Sequence, residues 1–338
     1  MKFMIAGLGS IGRRHYRNLR ALGEQDILFY RTHRATLPEG ELAGVPVETD
    51  LSRALEQKPD AVIIANPTAK HLEVAIPAAA SGCDLLIEKP VSPSMDGIDA
   101  LQAALQRGGG KAQVGYHFRF HPGLLRIRSL LAQQAIGSLV SARAEWGEFL
   151  PGWHPWEDYH LSYAARPDLG GGVVLTLSHP LDYLHWLLGE VEELWSFTSR
   201  LGLGLQVEDC AEIGLRFTSG VLGSVHLDYL QRPGRHSLEI IGTQGSLTWE
   251  NTDGTVHLVQ SGPEGAADSS QLYPAPTGFE RNTLFLDEMR NFRDVVVGQA
   301  EPACSLGEGI YALQLALAVL RSGQQAAVQK VGGRPPVA

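Results

Sequence analysis

Apolar residues in the first third of the chain fall in short runs, KFMIAG, DILFY, AVIIA, DLLIE and AQVGY, separated by stretches in which they recur at helical spacing. Runs this short and this uniformly apolar suit strands buried on both faces. Their alternation with amphipathic segments is the rhythm of βαβ units around a parallel sheet. The pattern predicts helices over 11–22, stopped by Gly23, over 51–58, stopped before Pro59, and over 95–107, ending in Gly108-Gly109-Gly110. Residues 71–81 also read as a helix, but Pro77 in mid-run is expected to kink or split it, at about 3 kcal/mol in a regular interior.

From Phe118 the texture changes. A helix is predicted over 122–135, closed by Gly137, and after it come alternating segments joined by compact turns. The clearest are 210–217 and 221–230 around Thr218-Ser219-Gly220, then 237–242 and 246–250 around a turn with Gly245, which read as antiparallel strands. Residues 261–282, rich in Gly, Pro, Ala and Ser, are predicted to be loop. Two helices close the pattern. One carries Leu284, Glu288, Phe292 and Val295 along one side; the other opens with Ser305 and Glu308 at capping-box spacing before an apolar run to Leu320. Both read as packing helices.

Composition narrows the class. At 338 residues, two domains are the better expectation. With 44% hydrophobic and 19% charged residues and mean hydropathy near zero, the chain reads as ordinary globular protein. A net charge of −9 argues against nucleic acid or an anionic membrane as partner, so any bound anion must be held locally. Cys83, Cys210 and Cys304 are far apart with no CxxC spacing, which predicts a reducing, cytoplasmic compartment. No signal-peptide or membrane-spanning run is recognised.

The first chemical signal is Gly7-Leu8-Gly9-Ser10-Ile11-Gly12, which follows a predicted strand and opens a predicted helix. Gly7 allows a tight turn, Gly9 lets backbone approach a pyrophosphate, and Gly12 lets helix and strand pack closely, while free amides at the helix start hold the anion. The second strand of such a unit normally leads to an acidic residue for the ribose 2′-hydroxyl. Here DILFY runs into Arg31-Thr32-His33-Arg34, and Arg31, Thr32 and Arg34 suit a 2′-phosphate instead. NADP(H) is therefore expected in preference to NAD(H), with NAD(H) still open.

In a doubly wound sheet, ligands sit beyond the carboxyl ends of the strands. The residues there are Asn66-Pro67-Thr68 with His71, then Glu88-Lys89-Pro90, then Tyr116-His117-Phe118-Arg119. Lys89 is the sharpest feature, because a lysine at the end of a buried strand is costly without a task or partner. Pro90 holds it extended and is a candidate for a cis bond that aims Lys89 at the nicotinamide.

Together, GLGSIG, NPTAKH, EKP and GGGVVLTLSHPLDYLHWLLG resemble the glucose-fructose oxidoreductase, inositol dehydrogenase and MocA (Gfo/Idh/MocA) family over nearly the whole chain. The resemblance implies an α/β architecture: an N-terminal Rossmann doubly wound parallel sheet in residues 1–118, and an α+β C-terminal domain, 119–338, with an open, mostly antiparallel sheet. The second domain would bind substrate and form a homodimer or homotetramer through its sheet, with the last helices packing back on the first. It further implies a nicotinamide cofactor contacted by Asn66, Pro67, His71, Glu88 and Lys89, and proton transfer through Lys89 and His179 with Asp182. Thr176 stands where many relatives have an aspartate. Without a carboxylate there, either Asp182 orients His179 or the proton path differs.

On this reading, His179 exchanges the proton and Lys89 steadies the reacting oxygen of a secondary alcohol or carbonyl. Tyr116, Arg119, Trp153, Trp156 and Thr176 are further substrate candidates, the tryptophans as faces for a sugar ring and Arg119 either for a carboxylate or phosphate or merely for Glu88. The expected substrate is a small molecule: a sugar, polyol or nucleotide-linked sugar. Half of the twelve histidines lie from His117 to His185, but their spacing completes no metal shell, and no metal is expected. The competing readings are a cofactor-binding sensor that has lost its chemistry and a reductase of carbonyls or imines outside sugars.

Overall fold

The computed structural model describes residues 1–31, 40–42, 44–262 and 266–332. Six strands, β1 Phe3–Ala6, β2 Ile27–Tyr30, β3 Val47–Glu48, β4 Ala61–Ile64, β5 Asp84–Ile87 and β6 Ala112–Val114, form a parallel sheet in the order β3-β2-β1-β4-β5-β6. That is the order of a dinucleotide-binding sheet, with its crevice at the switch point between the neighbouring strands β1 and β4, from which the chain connections run in opposite directions. Between strands run helices α1 Ser10–Ala21, α2 Leu51–Glu56, α3 His71–Ala80 and α4 Ile98–Gly108.

Two helical expectations change in detail. Helix α3 is not split at Pro77: Val74, Ala75, Ala78 and Ala79 remain buried on one continuous element. One missing amide near the C-terminal end is a small loss against that burial. Helix α4 begins at Ile98, not residue 95, because Gly97 takes a left-handed conformation (φ 83°) just before it.

After α5 Pro122–Ala132, the chain builds a mixed sheet of nine strands: β7 Leu139–Gly147, β8 Val191–Ser199, β9 Cys210–Phe217, β10 Leu222–Asp228, β11 Arg235–Gly242, β12 Gly245–Glu250, β13 Val256–Gln260, β14 Ser269–Tyr273 and β15 Gln329–Lys330. Neighbours are antiparallel except β7 with β10. Strand β14 corrects the loop expectation for 261–282: Ser269–Tyr273 pairs with β13 at the sheet edge, where ladder hydrogen bonds form without an apolar pattern to announce them. One face of the sheet is covered by α6 Val173–Thr176, α7 His179–Leu188 and α9 Leu306–Gln325, with Ser196 of β8 bonded to Val319 and Ser322 of α9. The other face carries Trp195 and Phe197, the latter 70% exposed.

Helix α8 Arg281–Val296 returns to the first sheet. Its Met289 and Phe292 join Phe3, Ile5, Phe29 and Leu86 in one core, and Asn282 donates to Asn18 of α1. The three cysteines are free, and no described helix is long and apolar enough to cross a membrane.

Candidate active site

The glycine loop follows from close packing. A Cβ on Gly7 (φ 95°) would lie 2.5 Å from the Asn66 amide nitrogen, and one on Gly12 would lie 2.0 Å from the Gly7 carbonyl oxygen. Both must be glycine. A Cβ on Gly9 meets nothing within 4 Å, and no side chain caps α1 where it starts at Ser10. Open space before uncapped amides fits a cofactor pyrophosphate. Ile11 is half-buried, while Leu8 is buried and its carbonyl accepts from Arg13 Nε at 3.0 Å. Arg31 follows β2; Thr32 and Arg34 lie outside the described residues.

The next two strand ends are tied by His71, whose Nδ1 and Nε2 each lie 3.0 Å from a carbonyl oxygen, of Pro90 and Asn66. Burial holds the ring below its ordinary pKa, so it is neutral and donates to one carbonyl at a time. Asn66 donates to the Lys70 carbonyl, and Pro67 is exposed at the turn. Glu88 meets His15 of α1 at 2.7 Å. Burial works to raise the Glu88 pKa, but the His15 hydrogen bond and the neighbouring Lys89 charge hold the carboxyl below its usual range.

The Lys89–Pro90 peptide is cis. Lys89 reaches across to the second half of the molecule, where its Nζ donates to the Thr176 carbonyl at 2.5 Å. Burial pulls its pKa down to about 8 against the opposing charges of Glu88 and Glu148. Thr176 ends the short helix α6, and its buried hydroxyl has no hydrogen-bond partner among the described residues.

His179, the first residue of α7, is 1% exposed, and neither ring nitrogen has a hydrogen-bond partner among the described residues. Aromatic rings surround it: His117 edge-on at 4.4 Å between centroids, Phe118 at 4.9 Å, Tyr116 at 5.4 Å and Trp146 at 5.4 Å. Burial, then the charges on His117 and Lys89, push its pKa well below the ordinary imidazole value. The ring is neutral, with a lone pair available to a proton.

The structure gathers Lys89, Thr176 and His179 but takes Asp182 and Arg119 elsewhere. Arg119 donates from Nε and Nη2 to both oxygens of Asp182, at 3.1 and 2.7 Å, and from Nη1 to Glu308 at 2.9 Å and the Ala303 carbonyl at 2.8 Å. Burial works against the Arg119 charge, but Asp182 and Glu308 hold its pKa well above the ordinary value. Asp182 therefore does not orient His179, and Arg119 pairs with neither Glu88 nor open solvent. Tyr116 is buried as a wall, its hydroxyl 3.3 Å from Ser178 Oγ. Trp153 packs edge-on to Tyr229 at 5.9 Å, its indole N–H without a partner among the described residues, whereas Trp156 is 66% exposed beside His154.

Three further residues contribute to the site. Glu148 accepts from the Trp146 indole at 2.9 Å, and its charge, with that of Glu88, favours the ammonium form of Lys89; burial and the same two carboxylates push the Tyr163 hydroxyl up. Phe285 of α8 stacks on His117 at 4.1 Å and closes the chamber from a helix whose pattern signals only packing. Among the described residues, no three His, Cys, Asp or Glu side chains are placed to hold a metal ion.

Comparison with known proteins agrees with this arrangement. Residues 1–116 match the family described as "Oxidoreductase family, NAD-binding Rossmann fold", and residues 124–248 match the GFO/IDH/MocA C-terminal domain. The chain is 27% identical over 285 residues to a 1,5-anhydro-D-fructose reductase of Ensifer adhaerens, covering 80% of each chain. It is 26% identical over 341 residues to a myo-inositol 2-dehydrogenase of Thermotoga maritima, covering 95% of this chain and 96% of that one. Among solved structures, a levoglucosan dehydrogenase in complex with NADH and L-sorbose superposes with a TM-score of 0.86 at 17% identity, over 98% of this chain and 99% of that one. A glycine loop open to a pyrophosphate, a strand-end lysine bridging two sheets and both halves of the family pattern in order mark the chain as an NAD-binding oxidoreductase of the GFO/IDH/MocA family.

Proposed function

We propose that this chain moves a hydride between a nicotinamide cofactor and a secondary hydroxyl or carbonyl of a sugar, polyol or nucleotide-linked sugar. The observation that carries the reading is Lys89, held by the Thr176 carbonyl beside a buried His179 whose two ring nitrogens have no partner among the described residues. When bound, the nicotinamide supplies the two-electron acceptor or donor. The protein's residues do the rest. Lys89, mostly an ammonium at neutral pH, hydrogen-bonds the reacting oxygen and stabilises its alkoxide character. His179, neutral, takes the hydroxyl proton as the carbonyl forms and returns it in the reverse direction. Relatives named for an anhydrofructose and for an inositol support a carbohydrate substrate. Trp153 and Tyr163 offer ring and hydroxyl contacts to such a guest.

Gly7 to Gly12, Asn66, Pro67 and Glu88 line the cofactor side. Arg31 favours NADP(H), with NAD(H) accepted. The open sheet face with Trp195 and Phe197 is proposed as a homodimer or homotetramer surface, and three free cysteines support a cytoplasmic setting. The test is Lys89→Met assayed with a panel of sugars and polyols. Turnover should fall by about 10²-fold or more, the scale of lost acid-base assistance, while cofactor affinity stays within a few-fold. Undiminished turnover would overturn the assignment.

A further inference from the structure

Strand β8 ends at Ser199 and β9 begins at Cys210, and the loop between them delivers Glu208 to the helix that holds Lys89. Asp209 fixes this loop. Its amide donates to the Ser199 carbonyl at 2.9 Å, and its Oδ2 accepts from the Gly202 and Leu203 amides at 2.8 and 3.1 Å. Its carbonyl accepts at 2.9 Å from the amide of Tyr229, the residue after β10. Glu208 is therefore carried on a loop that its own neighbour closes at both ends.

Glu208 holds the first turn of α6 by two bonds. Its main-chain carbonyl accepts from the Val173 amide at 3.0 Å, and its Oε1 accepts from the Val174 amide at 3.1 Å. Helix α6 has no side-chain cap of its own, because its N-cap is Gly172. Val173 and Val174 are fully buried, so neither amide has water as an alternative acceptor. Gly172 makes room for the carboxylate: at φ 111° it takes a backbone that other residues rarely adopt, and a Cβ there would lie 2.3 Å from Glu208 Oε1. The helix is a single turn. The Thr176 amide donates to the Gly172 carbonyl at 2.9 Å, and the Thr176 carbonyl accepts from Lys89 Nζ. The two ends of one rigid turn thus meet Glu208 and Lys89.

We infer that Glu208 is a positioning residue for the reaction: by fixing the first turn of α6 it sets where the Thr176 carbonyl stands, and with it the place of the Lys89 ammonium. The inference rests on the role proposed above for Lys89 and adds a residue that acts on it through α6. Two physical effects make the link measurable. A displacement of about 1 Å in a catalytic group can cost about 10²-fold in rate. A buried ammonium that loses its acceptor also gives up its proton more readily.

The experiment uses the full chain, loaded with whichever of NADP⁺ and NAD⁺ binds more tightly, and the variants Glu208→Ala, Glu208→Gln and Lys89→Met. Competitive acetylation by acetic anhydride, read by peptide mass spectrometry, gives the Lys89 pKa without turnover, and initial rates come from the panel of sugars and polyols. Glu208→Ala should move the Lys89 pKa downward and lower kcat about tenfold or more, with KM and cofactor affinity within a few-fold. Glu208→Gln, whose amide oxygen still accepts from Val174 without carrying a charge, should restore both. An unchanged Lys89 pKa in Glu208→Ala, whether or not the denaturant midpoint falls, would overturn the inference. So would a glutamine variant that behaves like the alanine one, since the effect would then be one of charge. Full turnover in Lys89→Met would defeat the proposed role of Lys89 even where Glu208 moves its pKa. If no sugar is turned over, the acetylation result alone decides the link between Glu208 and Lys89.

Discussion

The Lys89 ammonium donates to the main-chain carbonyl of Thr176, 87 positions further along the chain, and this bond joins the end of β5 in the first sheet to the end of α6 beneath the second. Because the acceptor belongs to the backbone, the Thr176 side chain is not what holds Lys89. The bond also keeps a cation at the meeting point of the two halves, where burial would otherwise favour its neutral form.

A pH dependence follows. Burial pulls the Lys89 pKa down to about 8 from the ordinary lysine range. Carbonyl reduction, which needs the ammonium, should therefore run at full rate below that value and decline as pH rises through it. Lys89→Arg, which keeps a cation throughout, should abolish the decline while lowering kcat, because a planar guanidinium does not reproduce the geometry. Rates of carbonyl reduction measured from pH 6 to pH 10 check this; an alkaline limb unchanged in the arginine variant would remove Lys89 as its source.

Arg119 and Asp182 form a buried bidentate pair, so removing one partner should cost about 3–5 kcal/mol by stranding the other charge. Asp182→Ala should accordingly lower the denaturant midpoint sharply, and combining it with Arg119→Met should recover much of the loss. Folded Asp182→Ala protein should keep its pH–rate profile, since His179 does not depend on that carboxylate. A shifted profile with unchanged stability would return Asp182 to catalysis.

Cofactor choice turns on Arg31. Arg31→Asp should weaken NADPH binding about tenfold or more while NADH binding changes little or improves, since a carboxylate repels a 2′-phosphate and accepts from a 2′-hydroxyl. Nicotinamide fluorescence titration gives both constants. Equal effects on the two cofactors would assign the preference elsewhere.

Trp195 and Phe197 stand 5.3 Å apart, edge to face, on the uncovered side of the second sheet. Trp195 lies across Gly214, where a Cβ would come within 2.2 Å of its indole nitrogen. The pair of substitutions Trp195→Asp and Phe197→Asp should shift the mass measured by light scattering toward the monomer. An unaltered mass would place the subunit contact on another surface, and a monomeric wild type would remove the oligomer proposal.

Local chemistry made much of this protein legible in its amino-acid order. Short apolar runs buried on both faces became β1, β2, β4, β5 and β6, because each run is long enough for one strand and for nothing else. Gly7 and Gly12 had to be glycine because backbone lies within 2.5 Å of where their Cβ atoms would sit. What only the tertiary structure decided concerns partners distant in sequence. Arg119 was an open arginine until α7 and α9 brought Asp182 and Glu308 to it, and Phe285 was a packing residue until α8 laid it on His117. Edge strand β14 likewise exists through its pairing with β13. A residue's type and spacing declare what it can bond to, whereas which of several equally suitable partners it meets is set by long-range packing of helices and sheets, and no local pattern records that choice.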